Sequence, residues 1–165
     1  MPIDPKSETM LLQVHPGLAR RARALLAACE AKGCPMRITQ GLRDGITQTA
    51  LYAQGRQPLD EVNRLRRLAC MPPITDDQNH EVTNARDGFS WHCFGLAADL
   101  CYAIGDPYRK NSHTLTWDQI GGLAEANGLT WGGHFSNPDR PHVQWTGGLT
   151  LADARAGKVP TMDAG

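Results

Sequence analysis

The sequence predicts an α+β fold, a small antiparallel sheet with helices packed mainly on one side. Three observations lead there. Apolar residues recur at helical spacing in two long blocks, beginning near Pro16 and near Thr116. Between Gly and Pro punctuation lie short runs with strand-like patterning, such as Met36–Gln40 and Leu96–Tyr102. Finally, 165 residues with 41% hydrophobic content can bury one core without staples, so the chain reads as a single domain, 1–165.

The elements follow in order. Pro16 opens a helix that runs through Leu18, Leu25, Leu26 and Cys29 to a cap at Gly33. Met36–Gln40 is a strand and Thr47–Gln54 a helix. Residues 59–69 repeat apolar side chains every third position and form a short amphipathic helix, ended by Met71-Pro72-Pro73. A loop leads to Ser90, and strand Leu96–Tyr102 follows. After a loop through Asp106-Pro107, Thr116 caps a helix carrying Trp117, Ile120, Leu123 and Ala124, closed by Asn127-Gly128. Strands near Leu129–Trp131 and His142–Trp145 complete the sheet, and the Gly- and Ala-rich tail from Thr146 holds one short helix. There is no internal repeat.

Seventeen basic and seventeen acidic residues cancel, so no global field favours nucleic acid or an anionic membrane. Two local clusters, Arg20/Arg21/Arg23 and Arg64/Arg66/Arg67, read as solvated helix faces. Five cysteines without a Cys-x-x-Cys pair fit reduced, mostly buried thiols made in a cytoplasm. No run reaches transmembrane length, and Met1-Pro2-Ile3-Asp4-Pro5-Lys6 lacks the apolar core of a signal peptide.

The chemistry sits in two segments: Ser90-Trp91-His92-Cys93-Phe94-Gly95-Leu96-Ala97-Ala98-Asp99, and Asp139-Arg140-Pro141-His142. Two imidazoles and a carboxylate with a second carboxylate nearby are the minimum for metal-assisted hydrolysis. Were residues 92 to 99 one helix, His92 and Asp99 would stand about 10 Å apart along its axis. Donors on one zinc ion lie roughly 3 to 3.5 Å apart. A continuous strand fails too, since positions seven apart face opposite ways. The segment must therefore bend, and Gly95 permits it. Beyond the bend, Leu96, Ala98 and Leu100 face one way, and Ala97, Asp99 and Cys101 the other. Pro141 suits the first position of a strand whose residues His142 and Gln144 share a face. Asp139 lies in the preceding turn. The division of labour is then His92, Asp99 and His142 as metal ligands and Asp139 as general base. His15, His80 and His113 read as ordinary surface or core histidines, and His80-Glu81 starts no zincin motif because position 84 is Asn.

Ser-x-His-x-x-Gly-x-Ala-x-Asp, followed by an acid three positions before a His, resembles the D-Ala-D-Ala/VanY-type zinc peptidases. Within that family it is most similar to phage endolysins that cut the L-alanyl-D-glutamate bond of peptidoglycan. Supporting matches run from about Ile38 to Trp145: Thr39-Gln40-Gly41-Leu42-Arg43, Gln48, Leu51-Tyr52, Gly55-Arg56, Val82-Thr83-Asn84-Ala85 and Trp131-Gly132-Gly133. The resemblance implies a hedgehog-like fold with a Zn2+ site in a cleft. It also implies hydrolysis by metal-activated water, with a peptidoglycan stem peptide as partner and a monomeric enzyme. By it, Arg43 stabilises the oxyanion and Ser90 contacts substrate; a fixed guanidinium aimed at developing charge contributes a few kcal/mol. Gln48 and Tyr52, four apart on a helix, share a face toward the cleft. The implied location is the host bacterial cytoplasm during synthesis, without an export signal, and the cell wall after release.

Three features depart from the family. His134 and then Phe135 follow Trp-Gly-Gly where an acid is usual, which makes His134 an additional metal or substrate contact. Residues 59–81 read as an insertion that packs on the surface of a core spanning about 8–146, with 147–165 as a tail. No wall-binding module is visible in the sequence. Rival readings are a D-alanyl-D-alanine carboxypeptidase, a non-catalytic zinc domain that binds wall peptides, and an Fe(II) oxygenase. The last usually places its first His and carboxylate two apart rather than seven. A Cys93–His92 nucleophile is disfavoured because adjacent residues on an extended chain diverge.

Overall fold

A computed structural model of the chain describes residues 3–108 and 114–162; His113 and the last three residues of the tail lie outside them. Its helices are α1 (Pro5–Leu11), α2 (Pro16–Ala31), α3 (Gly45–Ala53), α4 (Leu59–Leu68), α5 (Trp117–Ala126) and α6 (Leu151–Arg155). The strands are β1 (Met36–Gln40), β2 (Ala97–Tyr102), β3 (Thr130–Trp131) and β4 (His142–Gln144). They form one antiparallel sheet in the order β1-β2-β4-β3.

Helix α1 is the element the sequence analysis lacks. Seven residues are too few for a period to show, and the helix rests on local chemistry instead. Asp4 caps the backbone N–H groups of Lys6 and Ser7, and Pro5 occupies the first position, where no donor is needed. Buried Ser7 then accepts a hydrogen bond from Ile38 N at 2.8 Å and fastens the helix to β1. Helix α3 begins two residues earlier than its apolar pattern, because Asp44 accepts from Thr47 N at 2.7 Å and sets the start.

The apolar core lies between the sheet and α1, α2 and α5. Leu18, Ala22, Leu25 and Cys29 of α2, and Ile120 and Ala124 of α5, meet Ile38, Ala98, Leu100 and Val143 of the strands. Small residues on the helices admit large rings from the sheet. A Cβ on Gly17 would overlap the Trp145 ring, and one on Gly121 would overlap Trp131. Glycine inside α5 at position 121 costs about 1 kcal/mol of propensity, which close ring packing offsets.

Residues 59–81 fold back on themselves. Asn63 bonds both N and O of Ile74, at 2.8 and 3.0 Å. Arg66 corrects the reading of the Arg64/Arg66/Arg67 cluster as a solvated face, since its side chain is buried. Its Nε donates to Pro72 O at 2.8 Å and its Nη1 to Gln54 Oε1 at 3.1 Å, so it clamps α4 to the end of α3. Arg64 remains outside, paired with Glu61.

Candidate metal centre and cleft

Asp99 sits at the middle of the sheet, and strand register decides what faces it. Opposite it on β4 is His142. On the other side, a bulge between Ile38 and Gln40 of β1 sets Gln40 opposite Asp99. Bulges re-aim side chains at strand ends in this way. His92 arrives from outside the sheet, on the 3-10 turn Trp91–Phe94. Gly95 ends that turn at φ 65°, and its N–H returns to His92 O. The left-handed conformation suits glycine, and a Cβ there would press on Val14 Cα at 3.3 Å. Over seven residues the chain thus passes from an imidazole on a turn to a carboxylate on a strand.

One nitrogen of each imidazole and one oxygen of Asp99 converge. His92 Nε2 and His142 Nδ1 each lie 3.3 Å from Asp99 Oδ1, and the three donor atoms all fall within 4.8 Å of one another. The outer nitrogens are already engaged: His92 Nδ1 lies 2.8 Å from Gly41 O and His142 Nε2 3.0 Å from Gln144 Oε1. Both partners are acceptors, so each outer nitrogen carries the proton and each inner nitrogen presents a lone pair. Asp99 Oδ1 is buried and has no hydrogen-bond donor among the described residues. With both imidazoles neutral, three lone pairs therefore point at one place. A metal cation satisfies that arrangement, and two nitrogens with one oxygen suit zinc. The residues present fit the metal.

The electrostatics agree. Burial works against the Asp99 carboxylate, yet the two imidazoles beside it hold it well below the usual carboxylate range. His142 is penalised by burial as a cation, but the Asp99 carboxylate beside it lifts it above an ordinary histidine. In the absence of a metal, protons therefore compete for this position.

Asp139 is positioned by glycine. Its N–H bonds Gly132 O at 2.9 Å and its carbonyl accepts from His142 N at 3.1 Å, while a Cβ on Gly132 would overlap Asp139 O. The Trp131-Gly132-Gly133 run therefore holds the acidic turn close against the strand that bears His142. Burial, reinforced by the charge of Asp99, raises the Asp139 carboxyl above its usual range. The result is a stronger base at the edge of the cleft.

Arg43 is buried and fully braced. Its Nη1 donates to Gln48 Oε1 at 2.8 Å, Nη2 donates to Gln40 Oε1, and Nη2 lies 3.8 Å from Asp99 Oδ2. Its backbone N–H reaches His92 O at 3.0 Å. The Nε–H is buried and has no partner among the described residues. Both Arg43 and Ser90 line a cleft of about 970 Å³, together with Gln40, Phe135, Asn137 and Asp139. Ser90 also accepts from His92 N at 3.3 Å.

Three expected substrate contacts lie elsewhere. Gln48 is buried behind the site, holding Arg43 with its oxygen and Ala85 O with its nitrogen. Tyr52 turns outward between Arg56 and Arg86, whose guanidinium carbons lie 4.3 and 5.4 Å from its ring. Sharing a helix face was correct geometry, but that face packs against residues 83–86 rather than the cleft. His134 points away to Glu125 at 3.3 Å and packs on the edge of Trp131. Phe135 takes the place beside the metal centre, 5.6 Å from the His142 ring. Gln40 and Gln144 are functional neighbours the sequence analysis did not assign. The signal for Gln144 was its shared strand face with His142.

Comparison with known proteins agrees with this geometry. A peptidase M15 family model described as D-alanyl-D-alanine carboxypeptidase matches residues 83–145, the stretch that carries all three converging donors and Asp139. The peptidoglycan L-alanyl-D-glutamate endopeptidase CwlK of Bacillus subtilis is 30% identical over 140 residues, covering 79% of this chain and 72% of the relative. Among solved structures, the vancomycin-resistance D,D-pentapeptidase VanY, in complex with Zn(II), superposes with a TM-score of 0.53. The two are 16% identical over 87% of this chain and 78% of that one. The LdcB LD-carboxypeptidase gives 0.50 at 12% identity, over 91% and 67% of the two chains. At these identities the structural likeness speaks for the fold.

Proposed function

This chain belongs to the VanY-like, D-Ala-D-Ala-type zinc peptidase family, and from that premise we propose that it hydrolyses the L-alanyl-D-glutamate bond of peptidoglycan stem peptides. It is a metallopeptidase of a family that acts on peptidoglycan. The observation that carries the chemistry is the convergence of two imidazole nitrogens on a buried carboxylate oxygen that has no hydrogen-bond donor among the described residues. The choice of bond is supported by the similarity to the Bacillus subtilis endopeptidase.

His92, Asp99 and His142 would hold a zinc ion. Bound there, zinc acts as a Lewis acid that activates water and polarises a carbonyl. Asp139 receives the proton from the attacking water on its carboxylate and can return it to the leaving D-glutamate nitrogen. The Arg43 guanidinium, held by Gln40 and Gln48 at the cleft wall, supplies positive charge to the oxygen that becomes negative as the carbonyl is attacked. Ser90 sits on the cleft wall and contacts the peptide. Gly41 O and Gln144 fix the imidazole tautomers, as acceptors behind zinc-binding histidines commonly do. We place this activity in an endolysin-like role, with the enzyme acting on the wall as a monomer.

Digestion of purified peptidoglycan with mass analysis, with chelator and after zinc add-back, tests the reading. New D-glutamate amino ends, lost with chelator and restored by zinc, are expected. Free D-alanine instead would make the enzyme a carboxypeptidase, and no cleavage by folded, zinc-loaded protein would make the fold a binding domain.

A further inference from the structure

Beside the cleft lies a second cavity of about 540 Å³, and Tyr108, Pro138, Asp139 and Pro141 form a wall common to both. Its remaining lining includes Trp117, Asp118 and Arg140. Asp118 and Arg140 carry opposite charges into one space, yet among the described residues neither side chain has an ion pair or a hydrogen bond. Arg140 is nonetheless anchored. Its carbonyl accepts from Trp131 Nε1 at 2.8 Å, and it follows Asp139 directly in the chain. Trp117 supplies a buried aromatic floor whose Nε1 donates to Tyr108 O at 3.3 Å.

A cavity with a carboxylate and a guanidinium that do not neutralise each other fits a ligand with both an ammonium and a carboxylate. We propose that it receives the zwitterionic side-chain end of a diaminopimelate residue in the stem peptide, with Arg140 taking the carboxylate and Asp118 the ammonium. This rests on the peptidase reading above, which brings a stem peptide into the adjoining cleft. Diaminopimelate follows D-glutamate in one chemical type of stem peptide and carries a complete amino-acid group at its free end. Lysine, its counterpart in the other type, offers the ammonium alone. Arginine matches a carboxylate with two parallel donors, a geometry that lysine or glutamine in its place cannot reproduce.

Calorimetric titration of the zinc-loaded protein with two product-side dipeptides, γ-D-glutamyl-diaminopimelate and γ-D-glutamyl-lysine, separates this proposal from the cleavage reading. Wild type is expected to prefer the diaminopimelate dipeptide about tenfold, the weight of one charge-assisted bond. Arg140→Gln erases that preference without changing affinity for the lysine dipeptide, and Arg140→Lys keeps part of it. Asp118→Asn weakens binding of both, since both carry the ammonium. Equal affinity in wild type, or a preference that survives Arg140→Gln, overturns the proposal. Cleavage is read in parallel on diaminopimelate muropeptides: failure to cut at the L-alanyl-D-glutamate bond overturns the peptidase assignment, while the binding preference is judged on its own.

Discussion

The two faces of strand β2 have opposite requirements. Ala98 and Leu100 face the core and are wholly buried among apolar neighbours, so this face is complete as folded. Asp99, between them in sequence, faces a site where two imidazole nitrogens converge on Oδ1 and no described residue donates to it. That face is complete only with something added. A step of one residue along the strand separates a surface built for stability from one built for binding. Substitutions on the two faces should accordingly fail in different ways.

The largest contrast is between Asp99→Ala and Leu100→Ala. Removing Asp99 should cost about 10⁴-fold in kcat/KM, roughly 5.5 kcal/mol of transition-state stabilisation, with the far-UV circular dichroism of wild type retained. Leu100→Ala should cost about 2–5 kcal/mol in denaturant-measured stability, with kcat unchanged for the folded fraction. Similar stability losses in both would break the comparison. Asp139→Asn should sharpen it, lowering kcat about 10³-fold while zinc content measured by atomic emission stays at the wild-type level. Next comes Gln144→Leu, which removes the acceptor fixing the His142 tautomer and should weaken zinc affinity about 10- to 100-fold. A competition titration with a zinc indicator checks it.

The smallest effect belongs to the core face. Burial pushes the Cys29 thiol from 9.0 up to about 12, aided by Cys34, and the Tyr102 hydroxyl from 10.0 up to about 12. Because the unfolded chain ionises first, these groups contribute stability fully present below pH 9. It is lost progressively as pH rises toward 12. Tm should hold to pH 9 and then fall by about 3 °C per pH unit for each proton involved. Cys29→Ala should flatten the first part of that fall, and a slope beginning well below pH 9 would contradict the assignment.

Much of this was legible in the sequence because it rests on short-range signals. The Thr116 cap and Asn127-Gly128 stop delimit α5, and Gly95 had to mark a bend once His92 and Asp99 were required to meet. What stayed hidden depends on long-range packing. That Gln48 faces Arg43 and residues 83–85 rather than the cleft is set by where that loop crosses α3. His134 read as a metal or substrate contact because it occupies the position of the family's acid. The 3-10 turn Gly132–His134 sends it outward and leaves Phe135 beside His142. Arg66 looked like one charge of an exposed cluster, and only the return of Pro72 makes it an internal clamp.

The most direct test of the central claim is zinc stoichiometry after exhaustive dialysis, wild type beside Asp99→Ala. The converging donors predict one zinc per wild-type chain and none retained by the variant. Wild type emerging without zinc, or Asp99→Ala retaining a full equivalent, would contradict the assignment of His92, Asp99 and His142 as the metal centre.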